Sequence, residues 1–356
     1  MKLSHRSGGD RFGTHRVVTP KGVLPQQADR LDASLPIFDN ELLVDVEALN
    51  IDSASFHQIK EACGGDARRI EKHVSDLVAA RGKHHNPVTG SGGMLIGRVR
   101  EVGAKFLEGR HASESIRAGD RIATLVSLTL TPLSLTKVRG IHLEADRVDV
   151  EGHAILFQSG ICAKLPEDLS ETLALAVLDV CGAPAQTAAL CKPGQTVVVA
   201  GGGGKSGVLC LYEAKKAVGK TGRVIALDYG KDAVAKLQGM PFVDAVETCD
   251  ARNALAVYEQ VRRLTEGKMA DVVINVTNIP DTEMSCILSA RPRGVVYFFS
   301  MATSFTKAAL GAEGVGADVT LVMGNGYSPG HADLALRILR ESSEIRAIYE
   351  KRYGAS

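Results

Sequence analysis

At 356 residues the chain is long enough to bury two hydrophobic cores. A net charge of +1 excludes nucleic acid or an anionic membrane as the main partner, and the lack of tryptophan excludes the strongest base-stacking platform. No apolar run is long enough to span a bilayer, residues 1–16 lack the apolar core of a signal peptide, and the seven cysteines form no C-x-x-C pair, so a cytoplasmic protein with reduced thiols is expected.

Residues 1–40 are polar and punctuated by Pro20, Pro25 and Pro36, which predicts an irregular arm on the first domain. From Glu41 the string ELLVDVEALN alternates as a half-buried strand does. Over residues 55–81 the period changes. Ile59, Ala62, Ile70, Val74, Leu77 and Val78 suit two amphipathic helices broken at Gly64-Gly65, with His57 and His73 at the surface. NPVTGSGGMLIG is a loop entering a strand that continues to Val102, AGDRIATLV is a turn and strand, and residues 155–165 give one more strand closed by Pro166. Short strands separated by glycine predict a partly closed β-barrel. Residues 170–190 read as helix interrupted at Pro184, a bridge to the second domain.

At Thr196 the pattern turns to βα alternation. TVVVAGGGGKSG is a buried strand running into a glycine turn, and VLCLYEAKKAVG after it has helical spacing. Gly202, Gly204 and Gly207 form G-x-G-x-x-G between strand and helix, the pattern that lets backbone approach a pyrophosphate. Lys205, Ser206 and the helix N-terminus complete a phosphate cradle. The next strand, RVIAL, ends in Asp228, an acid placed to bind ribose hydroxyls and repel a 2′-phosphate, so NAD is expected. Lys205 and Lys231 leave NADP open, and Tyr229 and Lys231 should flank the adenosine half. Six strands, at 196–200, 223–227, 245–248, 271–276, 294–299 and 318–323, predict a doubly wound parallel sheet. Thr277, Asn278, Ser300, Met301 and Asn325 follow its fourth, fifth and sixth strands and are the expected nicotinamide contacts. Residues 331–353 make one or two closing helices. The expected class is α/β, with domains at 1–178, 179–326 and a helical closure at 327–356.

The strings ELLVDVEALNIDSAS, PVTGSGGMLIGRVREVG, AGDRIATLV and CKPGQTVVVAGGGGKSG, in this order, resemble the medium-chain dehydrogenase/reductase superfamily, a GroES-like β domain followed by a Rossmann domain. The resemblance places Asp52 where zinc members carry a cysteine ligand, Ser91-Gly92 where they carry His-Glu, and Cys181 at or near the third ligand. That set suits catalytic zinc poorly, so no metal is expected. A site of His84, His85 and Asp52 is the alternative, set against a pair of solvated loop histidines. Within the superfamily, GTHRVVTPKGVLPQQADRLD, LDVCGAPAQ and GNGYSPGHA resemble a branch that oxidises an amine of a short diamino acid. This implies a small-molecule diamino acid substrate, NAD(P) and water as co-reactants, and a homodimer paired through DVTLVMG.

Amine oxidation needs a neutral amine, whereas an aliphatic ammonium has a pKa of roughly 10. It also passes through a cation, which favours a carboxylate nearby. Asp52 is the first candidate for that group and Asp179 the second, although Asp-Ser-Ala-Ser is equally a helix N-cap signal. Ser53 and Ser91 either orient substrate or water, or are turn residues. Lys307 is the candidate partner of the substrate carboxylate, with Arg98 and Lys60 as alternatives, and Cys181 reads as an inert thiol. Two other functions fit the same outline: a zinc-free NADPH enone or quinone reductase, and a non-catalytic dinucleotide-binding protein.

Overall fold

The computed structural model describes residues 5–111, 114–324 and 326–354 and separates into two units, Met1–Asp168 and Leu169–Ser356.

The first unit begins with a short antiparallel pair, β1 (Val17–Thr19) and β2 (Arg30–Leu31). Then come β3 (Leu42–Asn50), α1 (Ser53–Ala62), α2 (Ala67–Arg81), β4 (Met94–Val102), β5 (Arg121–Thr124), β6 (Leu133–His142), β7 (Arg147–Leu156) and β8 (Cys162–Lys164). The last six strands join in an antiparallel sheet of order β6-β7-β3-β4-β5-β8. Its core gathers Leu42, Val44, Leu49 and Val99 from the sheet with Phe56, Ile59, Ile70 and Val74 from the helices. Each such side chain contributes about 1.5–3 kcal/mol by leaving water. Both helices start on an aspartate that accepts an amide hydrogen bond: Asp52 from Ser55 at 3.0 Å and Asp66 from Arg69 at 2.9 Å. They separate where expected, because Gly64 and Gly65 take the left-handed conformation (φ 62° and 70°).

Two sequence expectations differ here. Residues 155–165 are two strands, since the chain leaves β7 at Leu156 and turns through Gln158 and Ser159 before β8. The β6–β7 hairpin had no clear signal: charges interrupt its alternation because much of β6 is open to solvent.

The arm before β3 is fixed by a buried ion pair. Arg16 donates two hydrogen bonds to the Glu41 carboxylate, at 2.9 and 2.7 Å, and both side chains are fully buried. His15 adds a third contact at 2.7 Å. Burial opposes the charge on Glu41, but hydrogen bonds from His15 and Arg16 outweigh it and hold the carboxyl down to about 2.

The second unit contains α3 (Glu171–Leu178), α4 (Gly182–Leu190), β9 (Thr196–Ala200), α5 (Lys205–Val218), β10 (Arg223–Asp228), α6 (Lys231–Leu237) and β11 (Ala245–Thr248). It continues through α7 (Ala254–Leu264), β12 (Ala270–Asn275), α8 (Glu283–Ser289), β13 (Ala290–Phe298), α9 (Phe305–Gly314), β14 (Thr320–Met323), α10 (His331–Glu341) and α11 (Ser343–Tyr353). The six strands are all parallel, in the order β11-β10-β9-β12-β13-β14. The order reverses direction between β9 and β12, the point at which such sheets bind ligands beyond their carboxyl ends. Val197, Val198 and Val199 of β9 are wholly buried, as a central parallel strand requires. Helices α3 and α4 pack with α5, α10 and α11 inside this unit. The break between them falls at residues 179–181, not at Pro184. That proline is the third residue of α4, where a backbone N–H has no helical partner to lose. Among the described residues no single helix is long and apolar enough to cross a membrane.

Because the folded pKa of Glu41 lies below its ordinary 4.5, its stabilisation is full above that value and is lost as pH falls toward about 2. Unfolding free energy measured across this range should drop in the wild type and drop less in Glu41→Gln. Arg16→Met, which strands the buried carboxylate, should cost about 3–5 kcal/mol at neutral pH.

Candidate active-site residues in the two units

The glycine block makes the tightest passage of the second unit. Gly201 takes the left-handed turn (φ 86°), one residue before the G-x-G-x-x-G spacing begins. A Cβ on Gly207 would lie 2.1 Å from the Gly201 carbonyl oxygen, and one on Gly203 would lie 2.7 Å from the Ala233 side chain. Helix α5 therefore starts hard against β9. Gly204 is its N-cap and offers no side-chain hydrogen bond, so the first-turn amides at Lys205, Ser206 and Gly207 remain available to an anion. Asp228, at the tip of β10, accepts the Gly203 amide at 2.8 Å through one oxygen and the Tyr229 amide at 2.8 Å through the other. An acid at the glycine turn, an uncapped helix start and a cradle without Cβ atoms together fit a nicotinamide dinucleotide. Gly202 and Gly204 lie within this turn. Tyr229, Asn278 and Met301 are exposed at the carboxyl ends of β10, β12 and β13, and Lys231 opens α6. Thr277 donates from its hydroxyl to Asn275 at 2.7 Å, and Ser300 accepts the Ala302 amide at 3.1 Å. Asn325 lies outside the described residues.

In the first unit the loop between α2 and β4 folds over Asp52. Gly93 (φ 83°) sits where a Cβ would come 2.9 Å from the Asp52 amide nitrogen. Gly92 accepts a hydrogen bond from His84 Nδ1 at 3.0 Å through its carbonyl oxygen. A carbonyl cannot donate, so Nδ1 carries the proton, and burial pushes the imidazole down to about 4. His84 is thus neutral near pH 7, with a bare lone pair on Nε2. It is fully buried, and that Nε2 has no hydrogen-bond partner. Asp52 caps α1 with Oδ1, while its buried Oδ2 is also without a partner. Burial opposes the Asp52 charge, but hydrogen bonding from Ser55, then Ser91, and the influence of His84 hold the carboxyl below its ordinary range. Asp52 is therefore both the N-cap and a carboxylate with a spare oxygen.

A family model described as the L-erythro-3,5-diaminohexanoate dehydrogenase N-terminal domain matches residues 15–166. A protein named L-erythro-3,5-diaminohexanoate dehydrogenase from Acetoanaerobium sticklandii is 54% identical over 97% of this chain and 99% of its own. The chain belongs to the L-erythro-3,5-diaminohexanoate dehydrogenase family. A second member so named, from Fusobacterium nucleatum subsp. nucleatum, is 50% identical over the same shares. Among solved structures, a mycobacterial quinone oxidoreductase (TM-score 0.51, 20% identity, 93% of this chain and 92% of that one) has a similar fold. So has an alcohol dehydrogenase from Thermotoga maritima (TM-score 0.50, 15% identity, 90% and 86%). At such identities they show the fold alone, GroES-like plus Rossmann. This diaminohexanoate dehydrogenase family member is an oxidoreductase acting on amine groups, with a small-molecule substrate.

Other residues singled out in the sequence are engaged elsewhere. Asp179 belongs to the second unit and its carboxylate holds Lys205 Nζ at 2.7 Å. Tyr353 lies 5.5 Å from the same ammonium, and the Tyr349 hydroxyl donates to the Lys205 carbonyl at 2.6 Å. Ser53 donates to Asp146 at 2.6 Å. Lys307 pairs with Asp281, Lys60 with Glu144 at 3.4 Å, and Arg98 donates to the Gly119 carbonyl at 2.7 Å. Burial pushes the Cys181 thiol up to about 12, which leaves it inert. His84 is not the solvated loop residue expected as one alternative, and its neighbour His85 has a different electrostatic environment, of Lys83, Arg81 and Asp29. Among the described residues no three His, Cys, Asp or Glu side chains are grouped to hold a metal ion. In the sequence His84 has one distinguishing mark, its place just before the glycine-rich loop.

Gly207→Ala should lower stability by about 1–3 kcal/mol, as overpacked contacts do. Thermal unfolding with and without a nicotinamide dinucleotide should show an upward shift of the melting temperature in the wild type and none in Gly207→Ala.

Proposed function

We propose that the protein oxidises the 3-amine of L-erythro-3,5-diaminohexanoate with NAD and water, giving 5-amino-3-oxohexanoate, ammonium and NADH. The carrying observation is near-full-length identity of 54% to a relative of that name. When bound, NAD accepts the hydride that leaves C3. The amides of Lys205, Ser206 and Gly207 bind its pyrophosphate, and Asp228 takes the adenosine ribose and rejects a 2′-phosphate.

The first unit supplies the charge the substrate needs. Asp52 is ionised at neutral pH; it accepts a proton from the substrate ammonium and passes it to solvent before the hydride departs, so that it is again a carboxylate when the iminium forms. Its depressed pKa makes it a weak base, so its larger contribution is electrostatic: its negative charge stabilises the iminium that forms when hydride departs. Water then adds to the iminium carbon, the proton it loses passes through the Asp52 carboxylate to the departing nitrogen, and the C–N bond breaks to give the ketone and ammonium. We propose no metal in this reaction, because Ser91 and Gly92 stand beside Asp52 in place of the zinc-binding residues. We propose further that the protein is a cytoplasmic homodimer. The free edge of β14 supports the pairing, and seven free, buried cysteines support a reducing compartment.

The test mixes purified protein, the diamino acid and either NAD or NADP, and follows the absorbance of reduced nicotinamide. Activity should be higher with NAD, and Asp228→Ala should narrow the difference. Asp52→Asn should lower kcat by about 10²–10⁴-fold. Full activity in that variant would remove Asp52 from the reaction.

A further inference from the structure

Among the described residues of the first unit, the buried acceptors without a donor include the Asp52 Oδ2 atom and the His84 Nε2 atom. Adjacent residues of one loop serve the two side chains: Ser91 acts on the Asp52 carboxylate, and Gly92 takes the proton-bearing Nδ1 of His84. Each side chain acts electrostatically on the other. The loop cannot easily move away, since Gly92 and Gly93 pack against the backbone of His84 and of residues 50–52 with no room for a side chain. A buried acceptor left without a donor is costly, so the pair calls for a ligand rich in N–H or O–H groups.

We propose that His84 Nε2 and Asp52 Oδ2 together bind the reacting amine of the substrate, and that His84 is the residue that selects an amine over an alcohol. The proposal rests on the amine-oxidation reading above. An ammonium nitrogen carries three N–H donors and remains a double donor after losing one proton. It can satisfy both acceptors and bring a positive charge to the carboxylate. A hydroxyl has one O–H and leaves one acceptor bare. The selection therefore follows from counting donors, with His84 supplying the second demand. The neutral ring adds no positive charge to oppose the ammonium.

The test separates binding from turnover. Full-length enzyme with imidazole-15N-labelled histidines is saturated with NADH, so that no oxidation occurs, and titrated with 3-aminobutanoate or 3-hydroxybutanoate. The 3-amino acid should shift the His84 Nε2 resonance, assigned by its loss in His84→Phe. That variant should bind 3-aminobutanoate about 10–100-fold more weakly and 3-hydroxybutanoate unchanged. With diaminohexanoate, its KM should rise by a similar factor while the Kd for NAD stays the same. An unmoved Nε2 resonance at saturating 3-aminobutanoate overturns the proposal. So does wild-type affinity in folded His84→Phe, or a stoichiometric divalent metal whose removal shifts the same resonance. If His84→Phe fails to fold, the shift in the wild type decides alone, with the resonance assigned in His84→Gln. If the wild type shows the shift but does not oxidise diaminohexanoate, the proposed reaction falls and the amine site stands.

Discussion

Helix α5 begins where it does because Gly207 has no side chain. Its Cα passes so close to the Gly201 carbonyl that a single methyl group would collide with it. That approach draws the helix start onto the end of β9, beside the point where the parallel sheet reverses its winding. The free amides, the acid on β10 and the exposed ends of β12 and β13 are consequences of the same placement. The nucleotide site is a property of how closely a helix and a strand meet, more than of any one binding residue.

The first unit answers a different constraint. Asp52 has a structural task, closing the start of α1 with one oxygen, and the glycine-rich loop packs against its backbone on the other side. A carboxylate in that position keeps its charge because Ser55 and Ser91 stabilise it. Beside it stands an imidazole that burial keeps neutral. One negative group and one uncharged acceptor favour a cation, opposite to the preference of a zinc ion for a developing alkoxide. Alcohol-oxidising and amine-oxidising enzymes can share this architecture because the charge at one position inverts the preferred intermediate.

Much of this was legible in the sequence. Three valines before four glycines, with an acid after the next strand, give a parallel βαβ unit by short-range pattern alone, and the six parallel strands lie where the alternation put them. The two helices of the first unit were equally clear, since the Gly64-Gly65 break and aspartate caps are local signals. What escaped was what depends on distant partners. The β6–β7 hairpin is half solvated, so its pattern fades. Asp179 reads from the sequence as a candidate base, and its ion pair with Lys205 is a contact that the local pattern does not encode. Ser53 and Lys307 are spent on Asp146 and Asp281 in the same way. His84 shows the converse: its meaning lies in a missing partner, and no sequence pattern encodes an unpaired atom.

The Tyr349 hydroxyl reaches back from α11 to the carbonyl of Lys205, the first residue of α5. The phosphate-binding turn and the last helix of the unit are thereby joined across more than a hundred residues of chain. During synthesis on the ribosome, the glycine turn emerges long before the tyrosine that steadies it. Until α11 has been made, the nucleotide pocket lacks this brace, and a message truncated within α11 would yield a Rossmann sheet with an unsupported mouth.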